Sequence, residues 1–348
     1  MLKRKSLLRK TMPLILIGLL AFVLYLIFVV NVNEMVMVMK KTDLITYLLA
    51  FAATLTDMFF FALAWYYFLT PLSTAIPFKK VFIYSWIGNF IDLLVPAESI
   101  SGEISRVYFA SQDGVDAGKA VLSVITQRIL GMLLNIGALT ISALYLLILR
   151  VPLPSLIQSL VLLVVITTSF FLILFFILFF KENWMRKLID KIFGFLRRVG
   201  GKRWNVDEWR EKAERSVKTF YESLKVLSAK PKKLIPPIIS STLSWLFSII
   251  VYYLVFEALG YTISLAPLII VHSLIIALKS VPVGLPAEVG VTEIAMTTLF
   301  VAFSMPLNVS AAATVLIRAV TVWFRLIVGL GIVQWFGFKG ILENKSFA

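Results

Sequence analysis

Long apolar runs separated by short charged or Pro/Gly-bearing breaks dominate the chain. Apolar runs, holding no charge but Asp57 and Glu257, cover residues 13–33, 44–69, 154–180 and 238–259, and each exceeds the roughly 18–20 residues a helix needs to cross a hydrocarbon core about 30 Å thick. Two more, at about 120–149 and 309–336, carry isolated arginines but are otherwise apolar. Six spanning helices are predicted. Two further apolar segments, 81–95 and 267–285, run into proline and polar residues before reaching spanning length. They read as re-entrant helical hairpins over about 78–112 and 267–303.

The two breaks match each other. PAESISGE, Pro96 to Glu103, follows the first segment, and PAEVGVTE, Pro286 to Glu293, follows the second. Pro, Ala and both glutamates coincide, and a helical arm follows each, 104–112 and 294–303. Counting crossings brings the first hairpin in from the cytoplasmic side and the second from outside. The fold class predicted is therefore an all-α polytopic membrane protein, with six spanning helices plus two re-entrant hairpins arranged as an inverted repeat. Residues 1–180 form the first membrane repeat, 181–233 a basic cytoplasmic loop with amphipathic helices, and 234–348 the second membrane repeat. Irregular backbone at membrane depth is tolerated only where protein buries it or water reaches it, so paired interruptions predict a central polar cavity. The alternative is a chance match over two ordinary helix breaks.

Composition narrows the chemistry. With 60% apolar residues and a mean hydropathy of +0.93, the chain lies outside the range of soluble domains. It has no cysteine and a single histidine, His272, so thiolate chemistry, Cys-based zinc sites and histidine clusters are excluded, and no metal or cofactor is assigned. The longest hydrophilic stretch, about 53 residues at 181–233, is too short for most independently stable catalytic domains. The net charge of +15 is concentrated: five positive charges lie in residues 1–12, and 181–233 holds 16 Lys/Arg against seven Asp/Glu. By the positive-inside rule this places both termini and the central loop in the cytoplasm of a multi-pass cell-membrane protein, and the charge points to no nucleic acid. The first apolar segment is too long for a signal peptide and lacks a small-x-small cleavage site, so it reads as a retained anchor.

Within the central loop, Asn205 and Glu208 form a capping pair ahead of a helix carrying Trp209, Ala213, Phe220, Leu224 and Leu227 on one face, with Glu208/Lys212, Glu211/Arg215 and Glu214/Lys218 as i,i+4 pairs. The pattern lays this helix on the membrane surface, either recognising anionic headgroups or packing there without selectivity.

Charges inside apolar runs are costly and mark function or structural pairing. Arg106, Arg128, Arg318 and Arg325 are the candidate headgroup-binding residues, because a guanidinium fork binds phosphate bidentately. Glu98, Glu103, Glu288 and Glu293 are assigned to coupling or to positioning those arginines. Helix N-termini near Gly102 and Gly290 add N–H donors. The competing reading pairs the glutamates with the arginines as buried structural ion pairs. GVDAGK, Gly114 to Lys119, is one residue short of a P-loop; His272 reads as a packing residue; and Asn308-Val-Ser is a weak sequon.

With those residues in view, Asn89, Pro96, Gly102, Glu103 and Arg106 resemble the Asn…Pro…Gly-Glu-x-x-Arg motif of the lysylphosphatidylglycerol synthase transmembrane-region, or flippase-like, family. Pro282, Gly284, Gly290 and Glu293 resemble its second Pro/Gly-rich motif, Arg128 and Gly131 its Arg-x-x-Gly helix, and Arg318, Trp323 and Gly329 its last helix. The resemblance runs from about residue 10 to 337. It implies a lipid flippase or transporter of a prokaryotic cytoplasmic membrane, not an enzyme, with an anionic phospholipid or polyprenyl-phosphate-linked intermediate as cargo. Asn89, Pro96, Gly102, Pro282, Gly284, Pro286 and Gly290 would shape the broken helices. Glu98 and Glu288 depart from the family pattern, which has a basic or small residue and a glycine there, and they admit proton coupling. Two rival functions stay open: a membrane-embedded lipid transferase using Glu103 or Glu293 as general base, and a non-transporting partner of a lipid or glycan synthase. A homo-oligomer is compatible with each.

Overall fold

The computed structural model describes residues 24, 32–73, 76–95, 100–150, 154–200, 206–229, 231–279 and 286–344. All the regular structure in them is helical. Thirteen α-helices follow in chain order: α1 (Val32–Lys40), α2 (Leu44–Leu69), α3 (Phe78–Leu94), α4 (Ile100–Gln112), α5 (Ala117–Ile148), α6 (Ser155–Phe180), α7 (Glu182–Gly200), α8 (Val206–Ser228), α9 (Ile235–Ala258), α10 (Leu265–Lys279), α11 (Val291–Ala302), α12 (Leu307–Arg318) and α13 (Arg325–Asn344). Among the described residues, five helical segments are long and apolar enough to cross a membrane: Leu44–Leu69, Ala117–Ile148, Ser155–Leu174, Pro231–Ala258 and Leu307–Gly337. They coincide with five of the six predicted spans; the first, 13–33, lies almost wholly outside the described residues. The chain is a multi-pass membrane protein.

Local chemistry sets the helix ends. Asp43 caps α2, its carboxylate accepting from the Ile45 and Thr46 amides at 3.3 and 3.2 Å, and Asp116 caps α5 through the Gly118 amide at 2.8 Å. α3 stops at Leu94, and Val95 is extended at φ −99°, ψ 123°, as the residue before a proline must be. The arms α3, α4, α10 and α11 have 17, 13, 15 and 12 residues. At 1.5 Å per residue none is longer than about 26 Å, short of the hydrocarbon core.

Each arm pair packs on itself, α3 on α4 and α10 on α11, and then on the opposite half: α3 lies against α13 while α10 lies against α5, and α2 runs along α9. Exchange of equivalent partners is what a twofold relation between similar halves generates. Leu93, at the end of α3, packs with Leu326 against Ala287, Val289 and Val322, so the first arm meets the second broken loop. The largest core unites Leu139 and Leu146 of α5 with Tyr252 and Phe256 of α9, Leu268 and Ile275 of α10, Phe300 of α11 and Ile317 of α12. By contrast, among its described side chains, α6 buries only Ile157 and Leu172 and turns Leu162, Leu163, Ile166 and Phe170 outward, a surface suited to lipid.

The basic segment is not simply laid on a membrane. α8 buries Phe220, Tyr221 and Leu224 against Leu122, Ile129 and Leu172 of α5 and α6, because periodicity defines an apolar face without defining what it faces. Contact is close: a Cβ at Gly118 would stand 2.4 Å from the Ser216 carbonyl oxygen. Glu211 pairs with Arg215 at 2.8 Å as expected, but Glu214 takes Arg210 at 2.9 Å and Arg210 also reaches Asp190 of α7 at 2.7 Å, tying the two basic helices together. Asn205 and the side chains of Glu208, Lys212 and Leu227 lie outside the described set.

Gly88 and Gly102 let α3 and α4 touch through backbone. A Cβ on Gly102 would stand 2.5 Å from the Gly88 carbonyl oxygen and overlap Asp92. Gly102→Ala is expected to cost about 1–3 kcal/mol, the usual overpacking range, and to lower the thermal midpoint in detergent. Gly131→Ala, whose methyl meets open space, should leave that midpoint unchanged or slightly raised.

Candidate headgroup site

Glu103 sits on the first turns of α4 and Arg128 about three turns into α5, and the two pair at 2.7 Å. Beneath them Arg106, only 5% exposed, donates to Gln127 Oε1 at 2.8 Å, and Gln127 in turn donates to the Phe61 carbonyl at 2.8 Å. The Arg106 guanidinium lies over the Phe61 and Trp65 rings at 5.0 and 5.1 Å, so aromatic faces replace water around this cation. Asp92 accepts from the Gly102 amide at 2.6 Å and from Ser101 Oγ at 2.7 Å. The donor expected to face a phosphate at Gly102 is thus occupied by a carboxylate of the chain.

The second half repeats the arrangement in a tighter form. Glu293 accepts from the Gly290 amide at 2.6 Å and from Arg318 Nε at 2.6 Å; Arg318 also donates to the Ala287 carbonyl at 2.5 Å. Between them Ala287 and Glu288 are consecutive non-glycine residues at φ 50° and 45°, followed by Gly290 at 92°. Left-handed backbone at such residues costs about 1–3 kcal/mol apiece and persists only where its surroundings hold it. Lys279 approaches Glu288 at 3.8 Å.

The two charged pairs correspond. Glu103 and Arg128 are 25 residues apart, as are Glu293 and Arg318, and the second pair lies 190 positions after the first, the offset that also relates the octapeptides. Seven residues beyond each arginine, a polar side chain crosses to the other half. Asn135 accepts from Ser273 Oγ at 3.0 Å, and Arg325 donates to Asp57 at 2.5 Å, whose second oxygen accepts from Ser244 at 2.6 Å.

A groove of about 1110 Å³ opens between α4, α5, α6, α10 and α11. Its walls are apolar, with Met132, Leu160, Phe171 and Leu278 among them, and the Glu103–Arg128 pair stands on its lining. Both side chains are in part accessible, Arg128 at 31% and Glu103 at 20%. The volume exceeds the roughly 300–1,000 Å³ of small-molecule pockets. One charged patch in a long apolar trough suits a ligand with an ionic head and a hydrocarbon body.

Of the eight predicted charged site residues, Glu103 and Arg128 line this groove, and the other described ones do not. Arg106 and Arg318 are buried on their own partners, Arg325 joins the halves, and Glu293 and Glu288 hold the second loop. Gly102 and Gly290 serve close packing and a left-handed turn, Pro286 stands directly before the left-handed pair Ala287 and Glu288, and Asn89 keeps a buried carbonyl oxygen without a partner. Pro96, Glu98, Pro282 and Gly284 lie outside the described residues. Among the described residues no three His, Asp or Glu side chains converge as metal ligands. Asn135, Ser244 and Ser273 escaped the sequence reading. Carrying the 190-residue offset past Arg128 would have found Asn135 as the counterpart of Arg325.

Comparison with known proteins agrees with this architecture. The model of the lysylphosphatidylglycerol synthase transmembrane region matches residues 15–329. UPF0104 membrane proteins are similar over nearly their whole length: one from Pyrococcus horikoshii is 26% identical across 91% of this chain and 94% of its own, one from Methanocaldococcus jannaschii 25% across 88% and 90%, and one from Methanothermobacter thermautotrophicus 26% across 93% and 95%. The chain belongs to the lysylphosphatidylglycerol synthase transmembrane-region family.

Removing one partner of a buried ion pair leaves an uncompensated charge and costs about 3–5 kcal/mol. Arg318→Met alone should destabilise the protein by that order. Combining it with Glu293→Gln, which keeps an oxygen for the Gly290 amide, should recover part of the loss in a double-mutant unfolding cycle.

Proposed function

We propose that this member of the lysylphosphatidylglycerol synthase transmembrane-region family is a lipid flippase of the cytoplasmic membrane, with both termini on the cytoplasmic side. Its cargo would be an anionic phospholipid or a polyprenyl-phosphate-linked intermediate. The observation that carries the reading is the groove: a partly accessible arginine, with its glutamate, in a trough whose walls are otherwise mostly apolar.

The chemistry follows from what each part can do. A phosphate reaching Arg128 meets a guanidinium that can donate two parallel hydrogen bonds. Glu103 holds that guanidinium when no lipid is present, so the charge is never left bare at membrane depth, and it must yield as the phosphate arrives. The tails remain against the apolar wall, where each buried methylene is worth about 0.8 kcal/mol. Headgroup and tails are thus never separated from surroundings that suit them. The reading assigns transport rather than catalysis: no bond of the lipid needs to break.

Purified protein in liposomes is expected to move fluorescent anionic lipids between leaflets, and zwitterionic lipids more slowly. A hydrogen bond to a charged group is worth about 1.5–3 kcal/mol, so Arg128→Ala should slow transfer by roughly ten- to a hundredfold while remaining monodisperse, with Arg128→Lys in between. Wild-type rates in Arg128→Ala would remove the groove from the mechanism, and a stable fold that moves no lipid of any headgroup would favour a partner of a synthase. Covalently altered lipid would make the protein an enzyme.

A further inference from the structure

The second charged pair differs from the first in ways that a purely structural pair does not need. Glu103 and Arg128 remain accessible at the groove, whereas Glu293 and Arg318, at the same spacing on corresponding helices, keep only 4% and 3% of their side chains exposed. The loop beside the closed pair holds two consecutive left-handed non-glycine residues, Ala287 and Glu288, pinned by Arg318 through the Ala287 carbonyl. Directly after Arg318 the helix passes into a six-residue π segment, Ala319–Phe324, while α5 is regular α-helix through the corresponding positions 129–134. π segments are uncommon and gather at functional sites. Next to Glu293, Thr292 is fully buried and its hydroxyl has no partner. In the first half Arg128 takes its glutamate from α4 while standing on an unbroken α5, so the ion pair itself does not require a π segment.

We infer that Glu293 and Arg318 form a second headgroup site for the same phosphate-bearing lipids, closed in the state seen here and opened when Arg318 releases the Ala287 carbonyl. The inference rests on the reading of the groove at Arg128 as a lipid site. Opening relaxes the strained loop and lets the segment after Arg318 turn Val322 away from Ala287 and Val289, on which it now packs. The unpartnered Thr292 hydroxyl then gains a ligand oxygen or water. Each half thus offers one arginine to the headgroup, and the two are accessible in turn.

The chain has no cysteine, so single thiols report cleanly. Met132 lines the open groove and Val322, 190 positions on, is 1% exposed. In proteoliposomes, Met132→Cys should react with a water-soluble thiol reagent in zwitterionic lipid, and Val322→Cys should react only when phosphatidylglycerol, the anionic probe, is present. In a second arm, Ala287→Cys with Val322→Cys, bridged by a short reducible bifunctional thiol reagent, should lose phosphatidylglycerol transfer and regain it on reduction. If the lipid moves while Val322→Cys stays unreactive, or if the bridged protein transfers at the unbridged rate, the second site is overturned and the groove at Arg128 stands. If the unbridged protein moves no phosphatidylglycerol, the groove reading fails and this inference falls with it.

Discussion

The structure depends on the rule that an ionised side chain held in hydrocarbon must carry its counter-charge with it. Three of the four interior arginines meet a carboxylate, and Arg106 is held by neutral partners instead. Arg128 has a carboxylate that is partly wet, Arg318 a carboxylate and a carbonyl in the dry core, Arg325 an aspartate on another helix, and Arg106 an amide with two aromatic faces. These partners are also the joints of the fold. The carboxylate that neutralises Arg318 caps the start of α11, and the one that neutralises Arg325 is held by α9. At Arg318 and Arg325, charge compensation and helix placement are one set of contacts.

That coupling explains why two similar halves need not behave alike. The same glutamate–arginine spacing occurs twice, yet in one copy the arginine lies on a continuous 32-residue helix, and in the other it precedes a π segment while its glutamate follows a left-handed loop. A conformational equilibrium requires a difference in free energy between states that a ligand can offset. The left-handed loop and the π segment of the second half supply such a difference.

Much of the helix layout was legible because the bilayer fixes length. The run at 44–69 became α2 with the same bounds, and both pairs of short arms fell where proline and glycine interrupt the hydropathy. The matching octapeptides end on Glu103 and Glu293, the two glutamates that pair with Arg128 and Arg318. What periodicity could not supply was partnership across distance. Asp57 is 268 residues from Arg325, and nothing in the local pattern of either says that they meet. Nor does an apolar helix face announce whether lipid or protein covers it, which is why α8 was read as a surface helix. The π segment at 319–324 left no mark because its composition is that of any apolar helix.

The docking of α8 has a consequence for distance. If the polar face of α8 lies at the membrane surface, its close contact at Gly118 pins that point of α5 to the same level. Arg128 is ten residues further along, about 15 Å at 1.5 Å per residue, or roughly half the hydrocarbon thickness. On the proposed reading, a phosphate at Arg128 would rest midway between the leaflets, and the passage of a headgroup would divide into two excursions of similar length that meet there.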